Sequence, residues 1–293
     1  IAMGGNSISP KEKIGTISEQ FENTRRAIDA ISHFINLDYN LCINHGNGPQ
    51  VGNELMRMDL TFDKVPPLPL GVCVAGTQGT IGYMVQQSIQ NKLRILNIDR
   101  EVVTLITQVI VDEGDPSIKN PSKYVGKRYE KKEAQRLSKL FKWNIKEQEK
   151  GSWRRVVPSP MPEYIMHGKS IKSLVEKGTI VIASGGGGIP VYNNKYNIIN
   201  GLDAVIDKDY SAAKMGHIIR AQELWIITDV DYIYTNFGLN NQTPIYHMSE
   251  KEAQNLIIDN YFQEGSIAPK IRAALHFLKH GGKKVTITSI DCI

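Results

Sequence analysis

The chain is poor in the residues that several chemistries need. Its 293 residues hold three cysteines, Cys42, Cys73 and Cys292, far apart in sequence and with no CxxC pair. That pattern excludes a disulfide framework and a zinc ribbon, and it suits a reducing cytoplasm. Long apolar runs are also missing: the VVTLI of Val102 to Ile106 is among the longest, far short of the ~20 residues that a bilayer span needs. No charged-then-apolar leader opens the chain, so neither a membrane partner nor export is expected. Aromatic residues make up 8% of the total and are not interleaved with basic ones as single-strand nucleic acid binding requires, so no nucleic acid partner is expected.

Two familiar nucleotide loops are lacking as well. Gly168, Lys169 and Ser170 spell the end of a Walker loop, but Glu163 stands where its leading glycine belongs, and the phosphate-wrapping loop cannot form. Gly46, Gly48 and Gly52 make a GxGxxxG, and the run Gly185 to Gly188 leads into Ile189 and Pro190. Neither reproduces the dinucleotide fingerprint.

What the chain does have is three turns stripped of side chains, each behind a strand-like segment. They are GGNS at Gly4 to Ser7, NHGNGPQVGN at Asn44 to Asn53, and SGGGGIP at Ser184 to Pro190 after TIVIA. Bare backbone N–H groups at a strand-to-helix turn form an anion site, and three of them suggest a chain folded around a polyphosphate.

The rest of the pattern is an alternation. Ile17, Phe21, Thr24, Ile28, Ile31 and Ile35 recur at helical spacing, LCIN reads as a strand, and the second glycine turn opens a helix with Val51, Leu55 and Met58. Ile81, Met84, Val85 and Ile89 share one face of a further helix, before a single strand VVTLITQVIV. Later helices are expected at Ile171 to Lys177, Ser211 to Ala221, Glu250 to Tyr261 and Lys270 to Lys279, with the strands TIVIA, ELWIIT and KVTITSI between and after them. Strands alternating with helices mean a mainly parallel sheet covered on both faces, an α/β chain.

The net charge of +5 is unevenly spread. From Asp112 to Arg155 there are thirteen Lys and Arg against seven Asp and Glu, an excess of six that leaves the remainder one negative. This basic stretch also interrupts the alternation, so it reads as an inserted lobe over about 112–161. Elsewhere, VIDKDYSA sets Lys208 between Asp207 and Asp209 at a helix start, and APKIR sets Lys270 at another. A lysine at a helix N-terminus opposes the macrodipole, so two of them point to an anion held there. Asp209 can cap its helix and also orient the lysines.

Together GGNS, NHGNGPQVGN, TQV at Thr107 to Val109, KNPSKYVG at Lys119 to Gly126, WRRVVPSPMP at Trp153 to Pro162, SGGGGIPV, VIDKDYSA and PKI at Pro269 to Ile271 resemble carbamate kinases of the amino acid kinase superfamily. The resemblance implies an open αβα sandwich with a mainly parallel sheet and a small protruding subdomain, in a single domain over 1–293. It implies reversible phosphoryl transfer between ATP and carbamate, running as ADP plus carbamoyl phosphate to ATP in fermentative arginine catabolism of the arginine deiminase type. The alternative is another small-acceptor kinase of the superfamily. Mg2+ would be held mainly by the nucleotide phosphates rather than by a protein metal site, and the enzyme would be a cytoplasmic homodimer.

By the same resemblance the half at about 1–200 holds carbamate or carbamoyl phosphate and the half at about 201–293 holds the nucleotide. Gly4, Gly5, Asn6, Gly46, Asn47 and Gly48 line the transferred phosphoryl group, joined by Gly185, Gly186 and Gly187. Lys208 and Lys270 flank it, with Asp209 positioning them. Thr228, Asp229, Val230, Tyr234 and Phe237, with Pro269 and Lys270, hold the nucleotide. Other members of the superfamily often carry a lysine just ahead of the first glycine pair, where Ala2 and Met3 stand here; Lys119 or Lys123 of the lobe then supplies the missing charge. His45 reads as a structural hydrogen-bonding residue, Cys73 as spatial filler, Trp153 as packing for the lobe, and Gly76, Gly79 and Gly82 as sites of close helix packing.

Overall fold

Period-two alternation along three short strands decides the architecture. In the computed structural model, which describes residues 1–9, 15–259, 261–262 and 267–293, Met3, Ile43, Ile180 and Ile182 point into one apolar cluster. Their neighbours Cys42, Val181 and Ala183 point into a second, and Ala2 into a third, on the opposite side. A strand buried on both faces must be covered by helices on both faces. The six-stranded sheet runs in the order Lys284–Thr288, Glu223–Ile227, Ala2–Met3, Cys42–His45, Ile180–Ile182, Val102–Thr104, and every neighbouring pair is parallel.

One covering layer is made by the helices Ile17–Asn36 and Leu70–Leu96. The first starts at a capping box in which the Thr16 side chain accepts from the Glu19 N–H and Glu19 reaches back to the Thr16 backbone. It buries Ala27, Ile28, Ile31, Phe34 and Ile35 against the sheet, each large side chain stabilising the fold by about 1.5–3 kcal/mol. The second helix approaches its strand so closely that a Cβ on Gly82 would overlap the Thr104 side chain, whereas Gly76 and Gly79 face open space. Close packing therefore accounts for Gly82 and not for the other two. The opposite layer holds Gly168–Glu176, Lys208–Ile219 and Ile267–Lys279. The Walker-like Gly168 packs here on Ile218, away from any phosphate-binding turn.

The stretch read as one strand, VVTLITQVIV, is two. Val102–Thr104 ends the main sheet, while Gln108–Ile110 belongs to a second, four-stranded sheet with Ile189–Asn193, Ile199–Gly201 and Tyr164–Ile165. The break falls at Leu105 to Thr107, where the Gln78 side chain accepts from the Thr107 N–H at 2.8 Å and donates to its carbonyl at 3.2 Å. The Thr107 N–H is thus satisfied by a side chain, while its carbonyl also accepts from the Ile189 N–H of the second sheet at 2.9 Å, an exchange that periodicity alone cannot reveal. Helix ends shift too: the helix read from Ser211 begins at Lys208, the one read from Lys270 begins at Ile267, and the one read to Tyr261 stops at Ile258.

The basic stretch forms its own three-stranded antiparallel sheet, with Ser152–Val157 between Lys123–Tyr129 and Asn144–Glu149 and the helix Lys131–Phe141 beside it. Trp153 stays within this lobe, under the Lys131 ammonium. Three side-chain bonds tie the lobe to the body: Arg155 to Asp203, Tyr129 to Asp59, and Lys123 to Asp207. Among the described residues no helix is long and apolar enough to cross a membrane.

Candidate active site

Because the central strands are parallel, their carboxyl ends all emerge on one edge of the sheet, and each is followed by a turn. Met3 leads into Gly4 and Gly5, His45 into Gly46 to Gly48, Ile182 into the 184–188 loop, and Ile227 into Thr228 and Asp229. Ligands in open α/β sheets bind outside these ends. A cleft of about 390 Å³ opens there, bounded by all four turns, by the first residues of Lys208–Ile219, by Pro269 and Lys270, and by Lys123 to Gly126 and Arg154 of the lobe.

The turns fit against one another through their missing side chains. A Cβ on Gly46 would meet the Gly5 backbone, one on Gly185 would overlap the His45 ring, and one on Gly186, which sits at φ 66°, would overlap the Asn47 amide. Asn47 in turn donates to Thr77 Oγ1 at 2.8 Å. Gly48 differs, since a Cβ there meets nothing and would project into open space at the start of the helix Gly48–Thr61. The leading N–H groups of a helix have no intrahelical partner, and Pro49 in this first turn removes one that would otherwise be unsatisfied.

At the floor of the cleft lies Asp209, 3% exposed. Lys208 Nζ bonds its Oδ1, and Lys270 Nζ bonds its Oδ2 at 3.2 Å. Burial works to raise the Asp209 pKa, but the two ammonium groups outweigh it and hold the carboxyl below its ordinary value. The two lysines come from the first turns of different helices, so one carboxylate fixes both relative to each other. The capping role belongs to Asp207 instead, whose Oδ1 accepts from the Asp209 N–H at 2.9 Å. Its other oxygen accepts from Lys123 Nζ at 3.2 Å, linking lobe and floor. Across the cleft Asn6 Nδ2 donates to Asp229 Oδ2 at 3.3 Å, which joins the first glycine turn to the fourth.

His45 is buried under this arrangement with Nδ1 donating to the Gly46 carbonyl at 3.1 Å. Burial depresses its pKa to about 4, so it is neutral in ordinary buffers and has the structural hydrogen bond expected of it. Cys73 is buried in the helix Leu70–Leu96, and burial pushes its thiol up, away from nucleophilic use.

The amino acid kinase family model matches residues 1–289. The chain belongs to the amino acid kinase family, in its carbamate kinase branch. Carbamate kinase of Pyrococcus horikoshii is 42% identical over 293 residues, covering 99% of this chain and 93% of that one. Carbamate kinase of Staphylococcus epidermidis is 40% identical over 296 residues, with 99% and 93% covered. Among solved structures, carbamate kinase from Giardia lamblia bound to AMP-PNP superposes with a TM-score of 0.93 at 34% identity, covering all of this chain and 92% of that one.

Within this family member, fourteen of the residues singled out from the sequence line the one cleft: Gly4, Gly5, Asn6, Gly46, Asn47, Gly48, Lys123, Gly186, Lys208, Asp209, Thr228, Asp229, Pro269 and Lys270. Six do not. Lys119 ends the short helix Pro116–Lys119 and is exposed outside the cleft. Gly185 and Gly187 sit behind the lining, pressed on His45 and on the Ile206 carbonyl, where only a glycine leaves room. Val230 lies just past the lining; Tyr234 packs on Tyr232 and Phe237, and Phe237 is 64% exposed. Arg154, Tyr124 and Asp207 line the cleft and had no role in the sequence reading. The available signal for Arg154 was a pair of arginines inside an apolar strand, WRRVV, where alternation sends one to each face.

Proposed function

We propose that this chain transfers a phosphoryl group reversibly between carbamoyl phosphate and ADP, yielding carbamate and ATP. The observation that carries the reading is the pair Lys208 and Lys270 held on one buried carboxylate at the mouth of converging glycine turns. The P–O bond to the carbamoyl oxygen breaks and a P–O bond to the terminal ADP oxygen forms; the carbamate leaves as an anion and no proton need move. Charge then spreads over the three equatorial phosphoryl oxygens, so positioned cations and backbone N–H groups supply most of the stabilisation. Lys208 and Lys270 have that task, Asp209 keeps their spacing, and the turns at Gly4 to Asn6, Gly46 to Gly48 and Gly186 hold the phosphoryl group. His45, neutral and buried, is not required as a base.

The nucleotide is assigned to the side of the cleft formed by Thr228, Asp229, Pro269 and Lys270, and carbamoyl phosphate or carbamate to the side under the lobe, which serves as its lid. Among the described residues no three His, Cys, Asp or Glu side chains are grouped as metal ligands, and Asp207 and Asp209 are already taken by lysines. The residues present therefore fit Mg2+ carried on the nucleotide phosphates, whose charge it would help to neutralise. The ATP-forming direction, a place in arginine breakdown, a cytoplasmic location and a homodimer complete the reading. The test is a coupled assay for ATP made from ADP and carbamoyl phosphate with magnesium. Absence of ATP from a folded protein, with turnover on another small phosphorylated acid, would replace carbamate by that acid.

A further inference from the structure

Among the described residues four cationic side chains line the cleft: Lys123, Arg154, Lys208 and Lys270. Three of them are neutralised, Lys123 by Asp207 and both Lys208 and Lys270 by Asp209. Arg154 has no carboxylate partner among the ion pairs of the described residues. Its Nη2 donates to the Gly126 carbonyl at 2.7 Å and its Nη1 to Gln148 Oε1 at 3.1 Å, both neutral acceptors. Its Nε is buried with no partner at all. Burial, with the like charge of Arg128 adding to it, pulls the guanidinium below its ordinary pKa.

The neighbouring arginine shows what a satisfied guanidinium looks like in the same strand. Arg155 pairs with Asp203 and lies over the Trp143 ring at 4.9 Å; Arg154 has a ring beside it too, Tyr124 at 5.9 Å, but no carboxylate among the described residues. Alternation along Ser152–Val157 sends Arg155 to that partner and Arg154 to the cleft. A half-buried cation without a counterion is costly, and the relief available at this position is an anion brought into the cleft. Guanidinium is suited to it, because its planar fork meets two oxygens of a phosphate or carboxylate at once, which an ammonium cannot do.

We propose that Arg154 is a substrate-binding residue of the lid, recognising the oxyanion of the non-nucleotide substrate: the phosphate of carbamoyl phosphate or, in the reverse direction, the carboxylate of carbamate. The assignment rests on the function proposed above. It divides labour between the two basic residues of the lobe in the cleft. Lys123, bonded to Asp207, links the lid to the floor; Arg154 carries the charge that the substrate meets.

The test uses the full chain with Arg154→Gln and Arg154→Lys, steady-state kinetics in both substrates, and ADP binding by calorimetry. The expected result is a KM for carbamoyl phosphate raised about tenfold or more in Arg154→Gln and less in Arg154→Lys, with ADP affinity within about twofold of the parent. Added guanidinium ion at a non-denaturing concentration should restore part of the loss in Arg154→Gln, which a purely structural role would not allow. An unchanged KM for carbamoyl phosphate, or a parallel loss of ADP affinity, would overturn the proposal. Should Arg154→Gln fail to fold, Arg154→Lys carries the same readings. An inactive parent protein would sink the proposed reaction instead, and binding of inorganic phosphate then decides the role of Arg154 separately: weaker binding in the variant keeps it, equal binding removes it.

Discussion

The floor and the lid of the cleft are built on opposite plans. On the floor, charges are few, buried and shared: a single carboxylate, 3% exposed, holds two lysines whose side chains are 15% and 17% exposed. On the lid, charges are many and mostly in solvent, and the Lys123 side chain remains 43% exposed even where it meets Asp207. Interactions between charges strengthen as water is excluded and weaken where it is present. The floor is therefore the place where one lost charge matters most for the reaction. The lid is a place where position matters, and where Arg154, which lines the cleft with no carboxylate partner among the ion pairs of the described residues, stands out.

The comparison is broken most severely by removing a floor cation. Lys270→Ala or Lys208→Ala should lower turnover by about 10²–10³, the loss seen when one preorganised charge-stabilising group is deleted, while the fold survives because Asp209 keeps its other lysine. Asp209→Ala is a different experiment: it leaves two ammonium groups facing each other, and loss of one partner from a buried ion pair costs about 3–5 kcal/mol of stability. Turnover and thermal unfolding measured side by side separate the two outcomes. Near-normal turnover in both lysine variants would remove the floor from the mechanism.

The next effect is steric. Gly186→Val puts a β-branched residue at φ 66° into space already filled by Asn47, so it is strained by about 1–3 kcal/mol even before the overlap counts. At Gly48→Val the added Cβ meets no protein atom; the variant should fold normally and lose affinity for the phosphoryl group by projecting where the ligand belongs. Calorimetry with ADP and carbamoyl phosphate, together with melting curves, distinguishes a stability defect in the first from a binding defect in the second. Equal, unchanged affinities in both would show that these turns do not face phosphate.

How far each region was legible follows from the same division. The floor could be read because its chemistry is local: three glycine turns after strands, and lysines at two helix starts, are visible in consecutive residues. Its geometry was less so. Asp209 was expected both to cap its helix and to orient the lysines; the cap is Asp207, and the packing of two helices brings both ammonium groups onto the Asp209 carboxylate. The strand break at Leu105 to Thr107 was hidden for a related reason, since Gln78, distant in sequence, takes the Thr107 N–H that a continuous strand would have bonded. On the lid, composition disclosed an inserted basic lobe but not which basic residue turns inward. That choice is made by strand register, which places Lys123 and Arg154 in the cleft and leaves Lys119 on the exposed short helix.

Acid should sharpen the contrast between floor and lid. His45 has its pKa lowered to about 4 by burial, whereas an unfolded histidine titrates near 6.5. Between those values the unfolded chain binds the proton and the folded chain does not, so stability falls as pH drops through that window and is fully retained above it. The whole effect, reached near pH 4, is about 3 kcal/mol. His45→Gln, which keeps a side-chain hydrogen-bond donor, should flatten the decline of the melting temperature between about pH 6.5 and pH 4. The same slope in parent and variant would mean that the acid sensitivity of the fold arises elsewhere.

The smallest effect compares the two lysines of the lid to which the missing superfamily charge was assigned. Lys123 reaches the cleft and bonds Asp207, the cap of the helix that begins with Lys208; Lys119 is exposed and does not line the cleft. An exposed ion pair contributes about 0–1 kcal/mol, so Lys123→Ala should cost little stability, and its consequence should be kinetic, a reduction in turnover of about tenfold as the lid loses its link to the floor. Lys119→Ala should stay within about twofold of the parent. Deleting 112–161 behind a short Gly-Ser bridge extends the comparison: ADP binding should survive, because Thr228, Asp229, Pro269 and Lys270 lie outside the deleted stretch, while use of carbamoyl phosphate collapses. Hydrogen exchange supplies the independent reading. Carbamoyl phosphate should slow exchange at the amides of Lys123 to Gly126, which line the cleft, and protection confined to residues beyond 200 would show that the lobe is not a lid.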